Sequence, residues 1–256
     1  MSLKTDAKLA HKKYRNETGL FIVEGRKGIL ELLDSDLRVV RIYVTLEESG
    51  SIDSACSAYH IRTGNPLPEV TIVHAQTLSS LGTLETNSTG LAVASMRPSI
   101  DEDAILDIAT STFVLVLDDV QDPGNLGTII RTADWFGITH IVTSPTTVDA
   151  YNPKVIRASM GSFTRTHVTE LPLESLLTQA AERKIDTYGA FLTGKNLYET
   201  SFGTSGFIVM GSESHGISET IAPSIQSHIT IPRYGQAESL NVGTATALIL
   251  SEIRRH

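Results

Sequence analysis

Phe113-Val-Leu-Val-Leu-Asp-Asp-Val-Gln-Asp-Pro-Gly-Asn-Leu-Gly-Thr-Ile-Ile-Arg-Thr-Ala133 reads as one strand, one turn and one helix. Phe113–Leu117 is apolar without alternation, the pattern of a strand buried on both faces inside a parallel sheet. Pro123-Gly124 turns the chain, and Leu126, Ile129, Ile130, Ala133 and Phe136 then recur at helical spacing on one face. Asn125 falls near the helix start, where its amide suits a cap, and Arg131 lies off the apolar stripe, free to reach a ligand. The same alternation continues downstream. Strands are expected at 140–143, 167–170, 187–192, 207–210 and 229–231, with helices at 154–160, 173–183 and 241–253. This predicts a doubly wound α/β domain with a mainly parallel sheet, whose ligand belongs at the carboxyl ends of its strands.

Upstream the alternation is shorter. Strands at 21–23, 39–44, 70–73 and 90–95, with helices at 27–33 and 51–60, predict a smaller α/β domain. Met96-Arg-Pro-Ser-Ile-Asp-Glu-Asp103 separates the two blocks. Pro98 breaks regular structure, and the acidic run suits a linker or the first turn of a connecting helix. The expected division is 1–97, a linker at 98–112, and 113–256.

Composition narrows the function. The chain has 256 residues, 41% hydrophobic and 20% charged, with a mean hydropathy of +0.01. That is globular composition with apolar material for a core. No apolar run exceeds five residues, far short of the ~20 a membrane-spanning helix needs. The first residues carry no apolar stretch of a signal peptide, so a cytoplasmic protein is expected. The lone Cys56 excludes an internal disulfide and a cysteine-clustered zinc site. Eight scattered histidines without His-x-x-x-His or Glu-x-x-His spacing give metal chemistry no support. The net charge of −8 argues mildly against nucleic acid, but residues 1–28 hold seven bases against three acids. Either this stretch is a solvated terminus, or Lys12, Lys13, Arg15, Arg26 and Lys27 form an RNA-contacting edge.

Two further segments repeat the strand-then-loop pattern. Phe207-Ile-Val-Met-Gly-Ser-Glu-Ser-His-Gly216 carries Gly-x-Glu-x-x-Gly. Its Glu213 would set bulk and negative charge where a dinucleotide's pyrophosphate approaches, which argues against a nicotinamide or flavin enzyme. In Ile229-Thr-Ile-Pro-Arg-Tyr-Gly-Gln-Ala-Glu-Ser-Leu-Asn-Val242 a strand ends at Pro232 and a helix starts at Ser239 or Asn241, either a good N-cap. Gly243, Ala245 and Ala247 then suit close packing against another element or a partner chain. Gly189-Ala-Phe-Leu-Thr-Gly-Lys-Asn196 imitates a nucleotide-binding loop but lacks the terminal hydroxyl that holds magnesium.

Taken together, Asp-Pro-Gly-Asn-x-Gly-x-x-x-Arg-Thr, Gly-x-Glu-x-x-Gly and Ile-Pro…Glu-Ser-Leu-Asn-Val resemble the motifs of the SpoU/TrmH family of RNA ribose 2′-O-methyltransferases in the SPOUT superfamily. The resemblance implies an S-adenosylmethionine-dependent homodimer with a trefoil knot in its C-terminal domain. Carried over by motif position, Asn125, Arg131, Glu213, Ser239 and Asn241 match active-site residues. Thr193, Gly211, Ile231 and Leu240 match positions around the cofactor. Glu213 is expected to anchor Arg131 or the neighbouring loop. His11-Lys-Lys-Tyr-Arg…Gly-Leu-Phe-Ile-Val-Glu-Gly-Arg-Lys27 resembles a ribosomal-protein-like RNA-binding domain, which tilts the substrate toward ribosomal over transfer RNA. The alternative is a non-catalytic RNA-binding or ribosome-assembly protein on the same scaffold.

Overall fold

The computed structural model describes residues 3–255. Contacts within the chain divide it into two units, Met1–Pro98 with Asp149–Arg165, and Ser99–Val148 with Thr166–His256.

The first unit runs α1 (Leu3–Ala7), α2 (Lys12–Thr18), β1 (Leu20–Glu24), α3 (Arg26–Leu33), β2 (Val39–Val44), α4 (Leu46–Thr63), β3 (Glu69–Ile72), α5 (Ala75–Leu81) and β4 (Gly90–Ser95). Its four-stranded sheet has the order β1-β4-β2-β3, with β4 antiparallel to both β1 and β2. Strand residues alternate between two apolar layers. Phe21, Val23 and Ile42 pack with Ile29, Leu32, Ile52 and Tyr59, while Ile22, Tyr43 and Leu91 pack with Leu9 and Leu78.

Residues 3–18 of the basic stretch are largely helical, and two charged side chains in it are buried. Asp6 is 2% exposed and accepts two hydrogen bonds from Arg41 at 2.5 and 2.6 Å and one from the Tyr43 hydroxyl at 2.6 Å. Burial, aided by Asp6, pushes the Tyr43 phenol up to about 12. Arg15 corrects an expectation. Its guanidinium is 2% exposed and donates to the Leu9 and Ala10 carbonyls at 2.8 and 2.9 Å and to the Asp149 carboxylate through both Nε and Nη2. With those partners it holds α2 in place and has no face left for a phosphate.

In the second part of the chain α6 (Glu102–Ala109), β5 (Phe113–Leu117), α7 (Pro123–Trp135) and β6 (His140–Thr143) lead to α8 (Pro153–Ala158). Sequence places α8 with the later strands, but Ile156 and Phe163 bury themselves in the core of the first unit. There the Phe21 ring meets Tyr151 at 4.7 Å and Phe163 at 6.0 Å. Then come β7 (His167–Glu170), α9 (Leu173–Glu182), β8 (Thr187–Asn196), β9 (Gly206–Met210), β10 (Ser227–Thr230) and α10 (Val242–Arg255).

The second unit is an α/β layer on a six-stranded, wholly parallel sheet of order β10-β8-β9-β5-β6-β7. β5 is buried along its whole length, as its unbroken apolar run predicts. The stretch expected as a linker contains α6, capped by Asp101 and buried through Ile105, Leu106 and Ala109. From β5 the chain lays β6 and β7 on one side and places β9 and β8 on the other. The sheet therefore reverses its winding between β5 and β9, the place where such sheets open a ligand crevice.

α10 packs along α7. A Cβ at Gly243 would meet Thr128 Cγ2 at 3.2 Å, and Arg254 donates to the Phe136 and Gly137 carbonyls at 2.7 and 3.2 Å. Gly243 thus serves an intrachain contact. Gly189–Asn196 is strand rather than a phosphate loop, and a Cβ at Gly194 would come within 2.5 Å of the His228 carbonyl oxygen. Among the described residues no helix is long and apolar enough to cross a membrane, and no three His, Cys, Asp or Glu are grouped to hold a metal ion.

Candidate active site

The site is built where β5 and β9 end side by side. After β5 the chain turns into α7, and Asp122 caps that helix by accepting the Asn125 amide hydrogen at 2.8 Å, with Pro123 in the first turn. The cap that sequence offers to Asn125 therefore falls to Asp122, and the Asn125 side chain is left for tertiary contacts. Its Nδ2 donates to Glu213 Oε1, and its Oδ1 accepts from Asn241 Nδ2 at 2.9 Å. Asn241 Oδ1 in turn caps α10, accepting the Gly243 and Thr244 amides at 2.9 and 3.3 Å. One residue from each motif thus stands in a single hydrogen-bonded row, Asn241–Asn125–Glu213.

The loop carrying Glu213 is fixed by backbone. Ser212 and Gly216 exchange two hydrogen bonds of 3.0 Å, closing the loop on itself. Gly211 sits so close beneath it that a Cβ would lie 2.0 Å from the Gly216 carbonyl carbon and 2.2 Å from Ile217 N. The glycine in Gly-x-Glu-x-x-Gly is required by this approach of chain to chain. A second tie comes from Asp118 at the end of β5. It is 7% exposed, and its Oδ2 accepts the Ser218 amide hydrogen at 2.8 Å, holding the Glu213 loop to the neighbouring strand. Sequence reading passed over Asp118 and Asp122. An Asp directly before Pro at a helix start is a recognisable cap signal, whereas nothing local marks Asp118.

The other expected residues take less connected places. Arg131 is exposed on α7 and has no hydrogen bond or ion pair among the described residues. Glu213 is engaged by Asn125, so it does not anchor Arg131. Thr193 is exposed in the last part of β8, Gly211 follows β9, and Ile231 follows β10, all on the carboxyl side of adjacent strands. Ser239 and Leu240 are exposed in the loop leading to α10, and Ser239 makes no side-chain hydrogen bond among the described residues. In the first unit Lys12, Lys13 and Lys27 are exposed, while Arg26 is held by Glu48 at 2.9 Å and Ser51 at 3.2 Å.

Residues 112–251 match the SpoU rRNA Methylase family, and residues 1–92 match the MRM3-like substrate binding domain. The chain is 32% identical over 250 residues to the 23S rRNA (guanosine(2553)-2'-O)-methyltransferase RlmP of Bacillus subtilis, covering 96% of this chain and 93% of that protein. A TrmH-family protein from Porphyromonas gingivalis superposes with a TM-score of 0.84 at 35% identity, covering 99% and 96% of the two chains. The AdoMet-bound rRNA methyltransferase from Sinorhizobium meliloti superposes with a TM-score of 0.83 at 27% identity, covering 99% and 94%. With one sequence family spanning the whole parallel-sheet region and a full-length relative above 30% identity, the chain belongs to the SpoU rRNA methylase family.

Proposed function

We propose that this protein methylates a ribose 2′-hydroxyl of RNA with S-adenosylmethionine as donor, and that the RNA is ribosomal rather than transfer RNA. The observation that carries the reading is the Asn241–Asn125–Glu213 row. Three segments that are far apart in sequence converge on it, which a binding module on the same scaffold would not need. Full-length similarity to the Bacillus subtilis 23S rRNA enzyme supports ribosomal RNA.

The residues fit the donor. Asp122 and Glu213 both hydrogen-bond Asn125, one through its backbone amide and one through its side chain, and their negative charge complements a cationic sulfonium. Leu240, 46% exposed, offers apolar surface for a nucleobase. Thr193, Gly211, Ile231 and Leu240 would hold the cofactor, which supplies an electrophilic methyl group when bound. Asn125 and Asn241 hold each other and the start of α10, so neither amide is free to rotate. Arg131, lacking a partner, would donate hydrogen bonds to the ribose hydroxyl and stabilise negative charge as it develops on that oxygen. It serves as an orienting cation rather than a base, since a guanidinium offers a planar fork of donors and no acceptor. Ser239 would complete the contacts to the ribose or its phosphate.

The first unit is the RNA-docking part in this reading, with Lys12, Lys13 and Lys27 as phosphate contacts. The enzyme works as a homodimer in the cytoplasm, with the C-terminal segment knotted. Trp135, 84% exposed on α7, and Leu248 on α10 supply apolar surface for the partner chain. A monomeric mass by light scattering at micromolar concentration would refute the dimer.

The deciding experiment incubates the protein with radiolabelled S-adenosylmethionine and ribosomal RNA from cells lacking the gene. One ribose should gain the methyl group. Arg131→Ala should lower turnover by at least ~10²-fold while cofactor affinity, read by calorimetry, stays within about twofold. Absence of methyl transfer to any ribosomal RNA would overturn the proposal.

A further inference from the structure

The second unit contains a cavity that the motifs leave unused. At the open edge of the sheet, β10 pairs with β8 in two pieces. His228 faces Gly189, but the next residue, Ile229, already faces Lys195, so residues 190–194 are looped out of the ladder. Beside this break lies a cavity of about 340 Å³, lined by Lys195, Thr200, Ser201, Gln226, Ser227 and His228. That is within the ~300–1,000 Å³ typical of sites for small ligand groups. Tyr188 and Ile229 complete a lining that is rich in hydrogen-bond donors and holds no carboxylate. The His228 ring is held at the rim by stacking on Phe191 at 3.9 Å.

Charge makes this lining unusual for its surroundings. The second unit has 7 Lys and Arg against 17 Asp and Glu, a net of −10. Most of its cations are spent internally. Arg183 pairs with Asp103 and Asp107, Arg254 with two carbonyls, Arg255 with Glu252, and Arg233 bonds the Ala237 carbonyl. Among the described residues, Arg131, Lys184 and Lys195 are the cations left without such a partner. Arg131 belongs to the active site, Lys184 precedes β8 on the amino side, and Lys195 opens into the cavity.

We propose that this cavity is a phosphate subsite for the RNA backbone, with the Lys195 ammonium as its charge and the Ser201 and Ser227 hydroxyls as donors beside it. The inference rests on the RNA methyltransferase reading and adds a contact on the acidic unit itself. A phosphate there would be drawn by one positive centre in a negative field, so it would fix position more than supply bulk affinity. The looped-out residues 190–194 include Thr193, so a strand seated at Lys195 would lie next to a candidate cofactor segment in the chain.

The test compares Lys195→Gln with Lys184→Gln, each removing one unpartnered charge from the same unit. Binding of deproteinised ribosomal RNA is measured from low to moderate salt, with cofactor affinity and steady-state kinetics in parallel. Lys195→Gln should weaken RNA binding about three- to tenfold and reduce the salt slope by ~1. It should raise KM for RNA with little change in kcat and leave cofactor affinity unaltered. Lys195→Arg should restore binding, Ser201→Glu should impair it further, and Lys184→Gln should behave as wild type. RNA affinity unchanged by Lys195→Gln across salt overturns the inference, and so does a loss of cofactor affinity with RNA affinity intact. If the wild-type protein neither binds nor methylates RNA, the underlying reading fails with it, a result distinct from failure at Lys195 alone.

Discussion

Asn125 is placed so that its two amide atoms do different work, and that makes it the most informative single residue. Nδ2 gives a hydrogen to Glu213 while Oδ1 takes one from Asn241. Asn125→Asp would keep the acceptor but turn the donor into a second carboxylate facing Glu213, replacing attraction by like-charge repulsion. We expect Asn125→Asp to lose at least as much turnover as Asn125→Ala, each by ~10²-fold or more. The Asn125/Glu213 double-mutant cycle should be strongly non-additive. Additive losses would mean that the two residues act independently. Sequence made Asn125, Glu213 and Asn241 legible as members of three motifs, but not as partners. Hydrogen bonds across 88 and 116 positions are set by topology, and a local pattern carries no trace of them.

Elements were legible where a pattern is local. β2, β4, β6 and β7 follow the expected spans, because β-branched and apolar residues are concentrated in short stretches there. α1 and α2 were missed since their stretch is basic and carries little apolar periodicity, and what folds them is tertiary pairing at Asp6–Arg41 and Arg15–Asp149. The excursion at 149–165 escaped for the same reason, as its core partners lie more than a hundred residues upstream. Loops are fixed in turn by contacts that no propensity reports. At Gly211 an added Cβ must displace the backbone of Gly216 and Ile217, since neither 2.0 nor 2.2 Å is a sustainable contact. Gly211→Ala should therefore weaken cofactor binding by tenfold or more, with a Tm drop of several degrees for ~1–3 kcal/mol of strain. Wild-type cofactor affinity in this variant would contradict the geometry. At the amino ends of β6 and β7, His140 and His167 face each other with ring centroids 5.7 Å apart. Burial holds His140 below its usual 6.5, so the folded state takes up fewer protons than the unfolded one just below that pH. Stability should be level above about pH 6.5 and fall as the pH drops beneath it, and His140→Gln should reduce that slope. Thermal melts between pH 5 and 8 check the sign, and a wild-type Tm that rises on acidification would refute it.

Over the whole molecule the charge is divided between the units. The first has 14 Lys and Arg against 12 Asp and Glu, a net of +2, while the second carries −10, which together make the chain's −8. An acidic overall charge is thus compatible with an RNA substrate, because attraction is a local property and the chain total conceals it. Within the first unit, however, basic residues divide again into buried and exposed ones, and sequence cannot separate them. Arg15 is 2% exposed with its donors engaged by Leu9, Ala10 and Asp149, whereas Lys12, Lys13 and Lys27 are exposed. The two classes should fail in opposite ways. Arg15→Ala leaves the Asp149 carboxylate without its cation and unties α2, so it should cost ~3–5 kcal/mol of stability. Below its lowered melting temperature it should bind RNA with a wild-type salt slope. Lys27→Ala and Lys12→Ala should leave the Tm within about a degree, since exposed charges contribute ~0–1 kcal/mol, yet weaken RNA binding and lower the salt slope by ~0.7–0.9 each. Thermal denaturation alongside RNA titrations at several salt concentrations separates the two outcomes. An Arg15→Ala protein with unchanged Tm and a flattened salt slope would return Arg15 to the RNA-contacting edge, and lysine variants with unchanged slopes would remove that edge from the first helices.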